Sequence, residues 1–140
     1  MPPSLFFLKS DLMRTRFWTL VWTLALLFPM AFLGRLWPGF GRIFDTLFAP
    51  PWVHILLHGL LYAVLSFLLA GWIHPVTPRN VLALLGCILL VGLLHESLQI
   101  ITAGLWPGWG PELFDLTVDL AGAALGLLAD RLVARRHFPG

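Results

Sequence analysis

Charge is what this sequence has least of. Only 11% of its 140 residues are Asp, Glu, Lys or Arg, while 59% are hydrophobic. A soluble domain carries about 25% charged residues, so an ordinary water-facing surface over the whole chain is excluded. The class this implies is an integral membrane protein, a single domain over residues 1–140 with no room for a separate soluble module. The net charge is only +2, too little to speak for a nucleic-acid partner. Cysteine is almost missing as well. Cys87 stands alone, which excludes an intramolecular disulfide, and within its apolar run it reads as a small buried hydrophobe. There is no strand alternation to defend and no low-complexity segment.

What is present is a series of long apolar runs. Residues 1–16 set Lys9, Arg14 and Arg16 beside Leu5, Phe6, Phe7 and Leu8, an interfacial lead-in. The first run is uncharged from 17 to 34 and reads as a helix over 17–36, since about 20 residues span a bilayer. A cleavable signal peptide is the rival reading. Its apolar region would be only about 7–15 residues long and end in a small-x-small site, which Pro29-Met30-Ala31-Phe32-Leu33 does not offer. In the loop that follows, Ile43, Phe44, Leu47 and Phe48 fall on one helical face, which predicts a short helix lying in the interface. The second run, 51–73, has no charged residue and opens on Pro51, a first-turn residue. His74-Pro75-Val76-Thr77-Pro78 ends it, and Asn80 is placed to cap a third, 81–105. The fourth, 113–133, is followed by Arg135, Arg136 and His137. The expected fold is all-α: a polytopic membrane helix bundle with four transmembrane helices and a short interfacial helix in the first outer loop.

Orientation follows from the bases near the ends of these runs. With both termini inside, Lys9, Arg14, Arg16, Arg79, Arg131, Arg135 and Arg136 are cytoplasmic, leaving Arg35 and Arg42 outside. Trp18 and Trp72 then mark the inner interface, and Trp37, Trp52, Trp106 and Trp109 the outer one, as an aromatic belt.

The polar residues inside these runs need their own explanation. His54, His58 and Tyr62 recur every four residues and form one stripe on the second helix. On the third, Glu96 and Gln99 are neighbours, with His95 and Thr102 beside Gln99. On the fourth, Asp115 and Asp119 share a face with Gly122 and Gly126. At about 1.5 Å per residue, His58, Asp119 and Glu96 lie at roughly one depth beneath the same membrane face. An isolated Asp at a helix centre costs about 2.5–3.5 kcal/mol to insert, so such residues face the bundle interior or a water-filled cavity. Mutual repulsion of Asp115 and Asp119 asks for a retained proton or a bound cation. The simpler roles differ by residue. Glu112 complements a helix dipole, Tyr62 packs, His54 is solvated near the surface, and Gly122-x-x-x-Gly126 packs helices. Glu96 and Asp119 lie too deep for such a role.

Taken together, these residues resemble the VanZ-like family of small bacterial membrane proteins. The resemblance covers about residues 51–128. It rests on His58-x-x-x-Tyr62 in the second helix, Glu96-x-x-Gln99 in the third, and Glu112, Asp115, Asp119, Gly122 and Gly126 in the fourth. Asp119 stands where relatives typically have Asn. Relatives' Asp-Lys pair before the His is here His54-Ile55, and their Arg ahead of the acidic run is Trp109, so Arg35 or Arg42 would have to supply a cation. The resemblance implies a protein of the bacterial inner membrane acting at the cell envelope, in a family whose namesake is associated with resistance to a lipoglycopeptide antibiotic.

Three functional expectations result. The first is an outward-facing polar pocket of His58, Tyr62, Glu96, Gln99, Asp115 and Asp119 that binds or processes an envelope phospholipid or lipid-linked headgroup, with His58 shuttling a proton. Its outer members are His54, His95, Glu112, Arg35 and Arg42. The second is an intramembrane hydrolase or transferase using acid/base chemistry or a metal on His54, His58, Glu96 and Asp115; no cofactor is assigned, and no serine or cysteine sits in an evident nucleophile setting. The third is a proton-coupled carrier, which with so few helices calls for a homodimer through the glycines of the fourth.

Overall fold

The computed structural model describes residues 3–28, 30–73, 76–104 and 106–137. Pro29, His74, Pro75 and Leu105 lie outside the described residues, as do the side chains of Leu5, Phe6, Phe7, Leu8, Lys9, Arg135, Arg136 and His137. Within them the chain is all-helical: α1 Pro3–Leu27, α2 Met30–Leu36, α3 Pro38–Phe48, α4 Pro51–Ala70, α5 Pro78–Ala103 and α6 Trp109–His137.

Two helices, α4 and α5, are long and apolar enough to cross a membrane. The first expected span, 17–36, is not one helix. Its lead-in is continuous with α1, which ends at Leu27, and a separate short helix α2 begins at Met30. The sequence has Pro29 at this point, and a proline inside a helix lacks a backbone donor and clashes with the carbonyl four residues back. From Phe17 to Leu27 only half the length needed to span remains, and the rest of α1 carries Lys9, Asp11, Arg14 and Arg16. At the other end, α6 carries Asp115, Asp119, Asp130 and Arg131 along the expected span.

The helix ends also differ from expectation. α4 stops at Ala70, and Gly71 to Ile73 form turns. α5 starts three residues early, capped by Thr77, whose hydroxyl accepts from the Asn80 backbone N–H; Asn80 is therefore the receiver, with Pro78 at the first helical position. Gly104 closes α5 in the left-handed region at φ 70, a conformation glycine adopts without cost. The predicted interfacial helix is α3. Cys87 is exposed on α5 rather than buried.

The bundle is organised by α4 and α6. His54 faces Asp115 and His58 faces Asp119, each 61 residues apart in sequence. A constant offset means that α4 and α6 run parallel, with α5 returning antiparallel between them. Small residues set how close they come. A Cβ added at Gly122 would collide with the backbone of Gly59, and one at Gly126 with the backbone of Ala63. Gly59-x-x-x-Ala63 and Gly122-x-x-x-Gly126 are thus two facing small-residue stripes. Ser66, fully buried, donates across the same seam to the Ala123 carbonyl at 2.8 Å. Below this level Leu65, Leu84, Ile88 and Leu127 close the apolar core.

α1 leans on α4 through two indoles. Trp22 Nε1 donates to the Leu61 carbonyl at 3.0 Å, and Trp72 Nε1 to Thr19 Oγ1 at 3.0 Å. The Arg16 guanidinium sits 5.8 Å from the Trp72 ring, a cation–π pairing. α2 and α3 form a tight hairpin in which Gly34 and Gly41 meet backbone to backbone.

Candidate functional site

The stripe His54, His58, Tyr62 on α4 points into the angle between α5 and α6. Its four-residue spacing keeps one side chain above the next, and Ser66 extends it by one more turn. His54 Nε2 lies 3.1 Å from Asp115 Oδ1, and His58 Nδ1 lies 2.9 Å from Asp119 Oδ1. In each pair a ring nitrogen faces a carboxyl oxygen of the neighbouring helix. The upper pair is partly open, with His54 42% exposed, and the lower pair is sealed, with both side chains at 4% or less.

α5 supplies the third wall. Glu96, buried, places Oε1 4.0 Å from His58 Nδ1. His95 stacks on His58, ring centroids 5.4 Å apart and planes within 9°. The Tyr62 hydroxyl is 3.3 Å from His95 Nδ1, and the Gln99 amide group is 3.0 Å from His95 Nε2. The Gln99 amide N–H donates to His95 Nε2, so the ring proton rests on Nδ1 and faces the Tyr62 hydroxyl oxygen. Of the neighbours expected beside it, Gln99 pairs with His95, one turn before it. Gly92 lets α5 approach: a Cβ there would meet Leu116 Cδ2 at 2.9 Å and Asp119 Oδ2 at 3.2 Å.

Two buried oxygens at the centre, Glu96 Oε1 and Asp119 Oδ2, have no hydrogen-bond partner among the described residues. Such groups are costly to bury alone. The ion pairs described at the cluster are all with histidine. The four residues expected as metal ligands do not form one group: Glu96 separates from the other three and joins His58 and His95, the latter not expected as a ligand. His54, His58 and Asp115 are one set, and His58, His95 and Glu96 the other, with donor atoms in each set within 4.8 Å of one another.

A cavity of about 610 Å³ opens onto this cluster, within the range of small-molecule sites. Its polar patch is His54, His58, His95, Gln99, Thr102 and Glu112, and Trp22, Leu26, Leu57 and Leu61 are among its apolar walls. Phe44 and Phe48 of α3 also line it, their rings 4.2 Å apart. The predicted interfacial face is accordingly split, because Ile43 and Leu47 are exposed while the two phenylalanines turn inward. Arg35 and Arg42 do not line the cavity. Arg35 is exposed in the last turn of α2, and Arg42 borders a separate shallow recess with Gly39, Ile43, Thr46 and Leu47. Trp37, Trp52, Trp106 and Trp109 are exposed. Trp106 meets Trp109 edge-on at 5.1 Å.

Sequence reasoning did not pick out Ser66, Gly59, Ala63, Gly92 or the apolar lining. For Ser66 a signal existed, the next step of the four-residue stripe. Gly122 and Gly126, expected to pack helices and in the carrier reading to join two copies, lie against α4 of their own chain. Comparison with protein families, with curated proteins and with solved structures finds no match for this chain.

Proposed function

We propose that this chain is a VanZ-like membrane protein of the bacterial inner membrane that binds an envelope lipid or lipid-linked headgroup beneath the outer membrane face. In this reading the α1–α2 segment and α6 accompany α4 and α5 through the bilayer, giving four spans with both termini inside. The basic residues at the inner ends and the tryptophans around the opposite end support that orientation.

The observation that carries the reading is the two-sided chemistry of the cavity. Trp22, Leu26, Leu57, Leu61, Phe44 and Phe48 suit an acyl or prenyl chain, while His54, His58 and Gln99 suit a polar headgroup, the two histidines backed by Asp115 and Asp119 outside the lining. Hydrocarbon walls with a few convergent polar groups are the pattern of ligand sites. His58, buried between two carboxylates and stacked on His95, is the group that moves a proton when a headgroup enters.

Native mass spectrometry of the purified protein tests this. The wild type is expected to carry a co-purified lipid that Glu96→Gln and Asp119→Asn release or exchange. Identical bound lipid in wild type and both variants, with an unchanged envelope phenotype, refutes the reading.

A second reading, an acid/base hydrolase or transferase, is favoured by two histidines that line one cavity, each paired with a carboxylate behind it. Its nucleophile would be water, because Ser66 is spent on the Ala123 carbonyl and Ser97 on that of Leu93. Release of headgroup from a fluorescent phospholipid by wild type and not by His58→Gln would establish it.

A further inference from the structure

Two imidazoles and a carboxylate meet where α4 and α6 run side by side. We propose that His54, His58 and Asp115 form a binding site for a divalent transition metal of the zinc class, with Asp119 orienting His58. The site goes beyond the lipid reading and stands without it.

Donor atoms of the three residues lie within 4.8 Å of one another, and the closest pair, His54 Nε2 and Asp115 Oδ1, is 3.1 Å apart. Zinc bonds of about 2.0–2.1 Å at tetrahedral angles put neighbouring ligands roughly 3.3 Å apart. This pair already has the spacing of two ligands on one ion. The two histidines are one turn apart on one helix, with ring centroids 4.4 Å apart. Nδ1 of His58 is engaged by Asp119 at 2.9 Å, which leaves the Nε2 lone pair to a metal. That carboxylate–histidine–metal arrangement fixes the tautomer and raises the basicity of the ligand.

A separate observation also asks for a cation. Glu96 Oε1 and Asp119 Oδ2 are buried without a hydrogen-bond partner among the described residues, and Glu96 Oε1 is 4.0 Å from His58 Nδ1. A metal beside His58 would bring a cation close to these two buried carboxyl groups. The neighbouring set, His58, His95 and Glu96, is the weaker candidate, because both ring nitrogens of His95 are already engaged by Tyr62 and Gln99. Three protein ligands would leave a position open to the cavity that His54 and His58 line, the arrangement of zinc sites that bind something further. An anionic oxygen, such as that of a phosphate headgroup, would be repelled by bare carboxylates and accepted by the metal.

Zinc itself is the probe, added to the full chain purified in detergent without lipid and followed by elemental analysis after dialysis. The wild type is expected to retain about one zinc per chain. His54→Ala and Asp115→Asn lower zinc affinity at least about tenfold, Asp119→Asn weakens it by roughly ten- to a hundredfold, and His95→Ala and Glu96→Gln keep it. Each variant is checked for wild-type circular dichroism and elution. Cobalt added to the wild type is expected to give a ligand-field spectrum, a readout that needs no variant. No zinc above the buffer level and no cobalt spectrum overturn the proposal. So does zinc that survives the double replacement His54→Ala, Asp115→Asn, or that is lost from His95→Ala and Glu96→Gln while Asp115→Asn keeps it.

Discussion

Replacing Gly122 by alanine should damage this protein although alanine is the better helix former. In an exposed helical position a Gly→Ala change gains about 1 kcal/mol. Gly86 on α5 is such a position, with nothing within 4 Å of an added Cβ. At Gly122 the added Cβ would overlap Gly59, whose carbonyl carbon and Cα would both lie 2.8 Å away. Carbon atoms prefer about 3.5–4.0 Å, and backbone cannot swing aside as a side chain can. α4 and α6 would have to part by about 1 Å. Overpacking of this kind costs about 1–3 kcal/mol, which outweighs the helix-propensity gain. The same displacement would stretch the His58–Asp119 contact one turn away from 2.9 Å to about 3.9 Å, past hydrogen-bond range. The assay is thermal unfolding in detergent, with Gly86→Ala as the control. Gly122→Ala is expected to melt about 5–10 °C below Gly86→Ala, with Gly126→Ala behaving alike through Ala63. If Gly122→Ala melts with or above Gly86→Ala, the two glycines do not set the helix spacing and the reasoning is refuted.

Other consequences are smaller and separable. Trp22→Phe removes the indole donor to the Leu61 carbonyl but keeps an aromatic ring, so about 0.5–1.5 kcal/mol of stability should be lost in denaturant titration. Thr77→Ala removes the α5 cap and should cost about 1 kcal/mol, whereas Asn80→Ala, which keeps the capped backbone N–H, should cost less. Leu61→Trp fills the cavity from one wall, and it should reduce co-purified lipid in a mass-spectrometric assay while leaving the His58–Asp119 pair in place.

The polar level of the site could be counted from sequence because helix rise is regular. Four-residue spacing on α4 and the distance of each polar residue from the nearest turn are enough to put His58, Glu96 and Asp119 at one depth. Which residue meets which was not legible, because that depends on how far each helix is rotated about its axis. Rotation is set by Gly59 and Ala63 fitting Gly122 and Gly126, and only one of those two stripes stood out. Spacing alone put both Glu96 and His95 beside Gln99, and the partner it takes is His95. The break between α1 and α2 was hidden by composition, since the apolar end of α1 and the short α2 together have the hydropathy of one long helix, and Pro29 counts for little in an average. Cavity walls were hidden too: Leu57 and Leu61 line the cavity while Leu56 and Leu60 face outward, and all four are leucine.

That last contrast supplies the most direct test of the account, which holds that a lipid occupies the cavity between α1, α4 and α5. A phospholipid with a photoreactive group on its chain, crosslinked in native membranes and mapped by mass spectrometry, separates the two leucine faces. The account predicts adducts at Leu57 and Leu61, which line the cavity, and their loss in Leu61→Trp together with Leu57→Phe. Adducts confined to the outward residues Leu56 and Leu60, unchanged when the cavity is filled, would contradict it.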